Sequence, residues 1–457
     1  MIPIHCKFCS RNPGSAILRN RSHLLRAQSK EAPAMRGVYS QPMVRILAAT
    51  LLACAISGHA QQYDLVLRNG QVLDPKNNLA AKRDVAVRDG KIAAIEPTIP
   101  AGAAKQSVDI SGLYLTPGLV DIHVHVFTGL RHNAWGNGDL SVPADVMAIP
   151  NGVTTVADAG SSGWRDFPEF RRRIIDYSAT RIFAFLNIVG AGMANNDDAA
   201  EQNEHDMDLD ALSKTIEQNR DVIVGIKTAH WQQPNFISVQ KAVEAGKRNH
   251  LPVMVDFGWF DNKSYEQMIS SILRPGDIST HVFRMPAPLL TAKGEPAPYM
   301  LEARKRGIKF DVGHGGGSFN FALAEPMVKS GFFPDSISTD LHVGSATGVM
   351  LNLPNVMSKM LALGIPLSEV IRESTTNPAT EIGHPELGQI AVGSVADIAV
   401  LRVEHGNFGY ADLAGGKVDG SERILAEMTI RAGQIVFDLN ARTAVPWREG
   451  HLKYATR

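Results

Sequence analysis

The chain has 457 residues, no formal net charge, 44% apolar residues and 20% charged ones. That length provides two or three domains' worth of core, and the composition is ordinary for a soluble globular enzyme. A nucleic acid or an anionic membrane would require a basic surplus, so neither is expected as a partner and a small-molecule substrate is.

Residues 1–60 read as a leader. The segment 43–60 (MVRILAATLLACAISGHA) has a basic start, a short apolar run and small residues at its end. It predicts a secretory signal cleaved after Ala60, and a periplasmic or secreted mature protein. A buried N-terminal helix is the competing reading. The apolar run, about 12 residues, is too short to span a bilayer, so no stable membrane span is expected. Residues 1–42 are basic and unpatterned, which fits an over-extended start before Met43 or a transit peptide. All three cysteines, Cys6, Cys9 and Cys54, lie in this leader. The mature chain therefore has neither disulfide nor thiolate metal site.

From Tyr63 the sequence alternates polar and apolar residues and turns at Asn69-Gly70 and again at Asp89-Gly90. Asx-Gly between alternating runs is a hairpin signal. Residues 61–115 are thus short antiparallel strands. The same style returns at 386–440, so a small β-sandwich domain built from both chain ends is expected, followed by a C-terminal tail at 441–457.

Between them, residues 116–385 switch to strand–helix alternation. Eight apolar runs read as strands, at 118–125, 152–159, 181–189, 222–227, 252–257, 278–283, 308–312 and 336–340. Helices are expected at 168–178, 208–218, 238–249 and 298–306. Eight β/α units over about 260 residues match an α/β (β/α)8 TIM barrel, inserted in the β-sandwich domain. A doubly wound open sheet is the alternative.

The run 117–125, Pro-Gly-Leu-Val-Asp-Ile-His-Val-His, ends in two histidines one residue apart. On a strand such residues share a face, so His123 and His125 can converge on one metal ion. Other barrel runs also end in strong donors: Lys227 on the fourth, Asp256 on the fifth, His281 on the sixth, His314 near the seventh and Asp340 on the eighth. A buried charge is costly unless paired or bound to a metal. Singly, each has an ordinary reading as a cap, a packed ring or a snorkelling lysine. As a set at equivalent strand ends, one site explains them all.

With these residues the chain resembles the amidohydrolase superfamily of metal-dependent hydrolases, from about Tyr63 to Phe437. The 117–125 motif is highly specific for it. The segments 225–227, 277–281, 310–319 and 337–340 look most like its dihydroorotase-like amidohydrolase/deacetylase branch. The resemblance implies two divalent ions, usually zinc. His123, His125 and Asp340 would hold the more buried ion and His281 the second. Lys227, carboxylated by CO2, would bridge them. Asp340 would be the catalytic proton acceptor.

One position departs from that pattern: Asp256 stands where the family has a histidine. A carboxylate is an acceptable zinc ligand, and carboxylate-rich sites also suit Mn2+ or Fe2+. The other outcome is a site with one firmly held ion.

Substrate contacts are expected from Arg284, from His230 and Trp231 after Lys227, and from His314 with the Gly315-Gly-Gly-Ser318 loop. Backbone N–H groups of such a loop can hold an anion, and close packing is the equal alternative.

The leading functional reading is a hydrolase whose metal-activated water attacks an amide or ester of a small carboxylate-bearing substrate, of deacylase or deacetylase type. A cyclic amidase of dihydroorotase or hydantoinase type is the runner-up. A non-catalytic barrel serving as a binding module is the reading from another class. The oligomeric state is open, a homo-oligomer included.

Overall fold

In the computed structural model, residues 61–127, 141–193, 198–258 and 261–449 are described. The leader at 1–60 and residues 450–457 lie outside them. The described residues fall in one compact unit, His59–Arg457, organised around two sheets.

The first sheet has eight strands. They are β1 (Tyr63–Asp74), β2 (Leu79–Arg88), β3 (Lys91–Glu96), β4 (Ala104–Asp109), β5 (Tyr114–Pro117), and from the C-terminal part β13 (Ile398–Ala411), β14 (Lys417–Arg431) and β15 (Gln434–Asp438). Their order is β15-β14-β13-β5-β1-β2-β3, with β4 also on β1. The two chain ends meet where β5 and β13 run antiparallel, Ile398 opposite Pro117 and Leu401 opposite Tyr114. Alternation decides the faces. Leu65, Leu67, Val85 and Val87 share one apolar cluster with Val400, Met428 and Ile430, whereas Val66 and Ala86 belong to another.

Asp89-Gly90 is a true turn between β2 and β3. The turn read at Asn69-Gly70 is not a hairpin. β1 runs straight through it with a slip in register between Leu67 and Gly70, and Asn69 has φ 62°. The Asn69 N–H is taken by Asp84 Oδ1 at 2.8 Å, so the pair makes a bulge.

The second sheet is all parallel and in sequential order: β6 (Leu119–Val124), β7 (Val153–Gly163), β8 (Arg181–Asn187), β9 (Ile223–Thr228), β10 (Val253–Val255), β11 (Ile278–Ser279) and β12 (Lys309–Phe310). The eighth expected strand is reduced to two parallel bridges, Asp311 to Ser336 and Leu341 to Val124, which close the ring. Its hydroxyls explain the reduction. Ser336 and Ser338 donate to Asp311, Thr339 donates to Asp121, and Asp340 leaves the extended region at φ 48°.

The four expected helices form as Phe167–Arg173 with a 3-10 turn at Ile175–Tyr177, Leu209–Gln218, Ile237–Asn249 and Pro298–Arg306. Asp208 caps the second through the N–H groups of Asp210 and Ala211, and Gly307, at φ 93°, ends the fourth. Inside the barrel, Ile122, Ala157, Phe185, Met254 and Ile278 pack on Ala379, Ile382 and Leu387. That packed core leaves the C-terminal strand ends as the place for polar groups. Among the described residues, no helix is long and apolar enough to cross a membrane.

Candidate metal centre

Three buried imidazoles converge at the strand ends, each fixed from behind. Thr280 Oγ1 donates to Asp311 Oδ2 at 2.6 Å, so it must accept from the His123 Nδ1–H, 2.9 Å away. His281 Nδ1 is 2.6 Å from the Gly313 carbonyl oxygen, which can only accept. In both rings the proton therefore sits on Nδ1, and the Nε2 lone pair is free for a cation. His125 Nδ1 lies 2.9 Å from Ser161 Oγ.

The free nitrogens face acids and a lysine. His123 Nε2 is 3.0 Å from Lys227 Nζ and 3.4 Å from Asp340 Oδ1, and His125 Nε2 is 3.1 Å from the same oxygen. Burial, and then the neighbouring Lys227, pull the His123 pKa down to about 3, so the ring is neutral. Burial opposes ionisation of Asp340, yet His123, His125 and His281 around it hold its carboxyl well below the usual range.

Lys227 is fully buried, and burial lowers its pKa despite the acids nearby. Gly160, at φ +87°, makes room for its stem: a Cβ there would lie 2.6 Å from Lys227 Cγ.

Opposite stands Asp256. Its Oδ1 accepts from Arg284 Nη1 at 3.1 Å and from the Gly258 N–H at 2.9 Å. Its Oδ2 lies 3.2 Å from His230 Nε2 and 3.4 Å from His281 Nε2. His230 Nδ1 is 2.7 Å from Glu201 Oε2. Burial pulls the His230 pKa down, but Glu201 and Asp256 carry it well above the ordinary value.

The structure thus brings together His123, His125, Lys227, Asp256, His281 and Asp340, with His230 and Arg284 beside Asp256. His314 does not join them as an open substrate contact. Its ring is fully buried, stacked 4.6 Å from Phe319, with Nε2 2.8 Å from Lys359 Nζ. Packing also accounts for the start of the glycine loop: a Cβ on Gly313 would meet Thr280 Oγ1 at 2.3 Å, and one on Gly315 would meet Asp340 Oδ2 at 2.4 Å.

The donor set fits a divalent ion. Among the described residues, ligand atoms of His123, His281 and Asp340 all lie within 4.8 Å of one another, and two imidazoles with a carboxylate suit zinc, iron or manganese.

Sequence reading missed the residues behind these ligands: Thr280, Asp311, Ser161 and Glu201. It also missed His342, whose Nε2 is 4.0 Å from Asp340 Oδ2. Asp311 carried a readable signal, an acid inside an otherwise apolar strand end.

The amidohydrolase family profile matches residues 114–436. A deacetylase of Agrobacterium fabrum is 34% identical over 322 residues, covering 68% of this chain and 76% of its own. Two solved structures superpose on 82% of this chain. One, titled an adenine deaminase, has TM-score 0.74 and 27% identity over 100% of its length. The other, titled a dihydroorotase, has TM-score 0.72 and 28% identity over 99%.

Proposed function

The chain belongs to the amidohydrolase family and is a metal-dependent hydrolase, and on that premise we propose that it is a deacylase. It removes a small acyl group from the nitrogen or oxygen of a compact carboxylate-bearing substrate, in the periplasm or outside the cell. The observation that carries this reading is the His123–His281–Asp340 cluster beside Lys227, its histidines buried and its carboxylate partly so. The name of the Agrobacterium fabrum relative supports the choice of an acyl group.

His123, His125 and Asp340 would hold the first ion, with His281 on the side toward Asp256. When bound, a divalent ion lowers the pKa of a water and polarises the acyl carbonyl. The chain supplies the rest. Asp340, ionised at neutral pH, accepts a proton from the attacking water and delivers it to the leaving nitrogen or oxygen. Thr280 and Ser161 hold the imidazoles in place. Burial lowers the Lys227 pKa and so favours the free amine, the form that would add to CO2 and lose a proton to give a carbamate whose two oxygens suit zinc or a similar cation.

A panel of N-acyl amino acids, O-acyl hydroxy acids and cyclic ureides tests the proposal with metal-loaded protein. We expect acyl release that chelation abolishes and added metal restores. Hydrolysis that survives chelation contradicts it. A clear preference for cyclic ureides would instead favour a cyclic amidase, the reading that the likeness to a dihydroorotase structure supports.

A further inference from the structure

Two departures from the family pattern face each other across the site. The resemblance implies a histidine where Asp256 stands and a different short sequence after Lys227, where this chain places His230 three residues on. The lost imidazole and the gained one meet: His230 Nε2 lies 3.2 Å from Asp256 Oδ2. His281 Nε2 approaches the same oxygen at 3.4 Å. Donors arranged tetrahedrally around zinc, with bonds of about 2.0–2.1 Å, are about 3.3 Å apart. Both separations match that spacing as well as they match an ion pair's.

The rear of the ring agrees. His230 Nδ1 is 2.7 Å from Glu201 Oε2, and Glu201 Oε1 accepts from Asn187 Nδ2 at 3.1 Å. Glu201 is itself buried. A carboxylate behind an imidazole is the usual means of fixing a metal-binding histidine, because it holds the proton on the far nitrogen.

The backbone is consistent with it. His230 has φ 52°, His281 60° and Asp340 48°. Non-glycine residues in the left-handed region are enriched at functional sites, although seven others among the described residues share it, Asn78 and His250 as helix caps. Two of these three are the ligands that the family resemblance implies. The third is His230.

We infer that His230 is a ligand of the second metal position, taking over from the missing strand-five histidine, with Asp256 Oδ2 and His281 Nε2 as its companions. Two imidazoles and a carboxylate are a donor set for Fe2+, Zn2+ or Mn2+. Arg284 binds the other oxygen of Asp256, Oδ1, and so leaves Oδ2 for the ion. The set shares His281 with the His123–His281–Asp340 cluster, and His230 is the most exposed of its three residues.

This inference rests on the metal-dependent reading above. The test is metal content per chain after loading with zinc and desalting, read by elemental analysis, with the visible absorption of the cobalt-substituted protein as a second readout. The wild type is expected to hold two ions, and His230→Asn one. Adding Asp256→His to His230→Asn is expected to restore the second by returning the strand-five imidazole. Glu201→Gln, which leaves the ligands in place, is expected to weaken the second ion about 10- to 100-fold. Two ions retained by His230→Asn at unchanged affinity, or a single ion in the wild type, overturns the inference and leaves the hydrolase reading standing. A wild type that takes up no ion overturns both.

Discussion

Gly160→Ala probes how the buried lysine is held. Gly160 has φ +87°, and a Cβ there would lie 2.6 Å from Lys227 Cγ and 2.7 Å from Lys227 Cβ. The lysine cannot swing aside, because it is fully buried. Alanine in the left-handed region costs about 1–2 kcal/mol, and forcing a methyl into a packed core costs about 1–3 kcal/mol. Together they give about 2–5 kcal/mol, a large share of the about 5–15 kcal/mol that stabilises a folded protein. Gly102 supplies the control, with φ +83° and nothing within 4 Å of its Cβ. Gly102→Ala carries the backbone cost alone. Denaturant unfolding of the two variants side by side therefore isolates the contact. We expect Gly160→Ala to lose about 1–3 kcal/mol more than Gly102→Ala, and to bind less metal because Lys227 Nζ is displaced. Equal stability losses, with metal content and hydrolysis unchanged in both variants, would refute the reasoning.

Asp340→Asn should lower kcat by about 100- to 10,000-fold by removing the proton acceptor, and a rate within a few-fold of wild type in the metal-loaded variant would rule out that role. Thr280→Val breaks the link from Asp311 to His123 Nδ1 and should weaken metal binding about 10- to 100-fold, measured by competition with a chelator. Glu373 gives a pH prediction. It is buried with Oε2 unpartnered, and burial pushes its pKa up to about 9. The folded state then keeps a proton that the unfolded chain gives up, so stability falls as pH rises from the ordinary carboxylate range toward that value. Glu373→Gln lacks this slope, and should gain on the wild type by at most about 1.4 kcal/mol per pH unit between about pH 5 and 8. Unfolding midpoints that keep a constant gap over that window would contradict it.

The parts of the structure most legible in the sequence were those written in local alternation. His123 and His125 could be paired because a strand repeats every two residues, and Lys227 stood out against the apolar run before it. Long-range partners left no such mark. Nothing near His123 in sequence announces Thr280 and Asp311, which meet it only when the barrel closes. His314 shows the converse: it sits at a strand end like the ligands, but flanking Gly313 and Gly315, at φ 45° and 57°, accompany a backbone path that leaves its ring on Phe319 and Lys359. Asn69-Gly70 has the composition of a hairpin turn, yet Asp84 turns it into a bulge. The eighth strand was readable in position but not in form, since its serines and threonine bond to buried aspartates.

Anomalous diffraction from crystals of the metal-loaded, active protein tests the metal centre most directly. We expect a peak within about 2.0–2.2 Å of His123 Nε2 and Asp340 Oδ1, with His125 completing the site. Active crystals in which these side chains bind no ion, or in which the ion lies elsewhere, would contradict it.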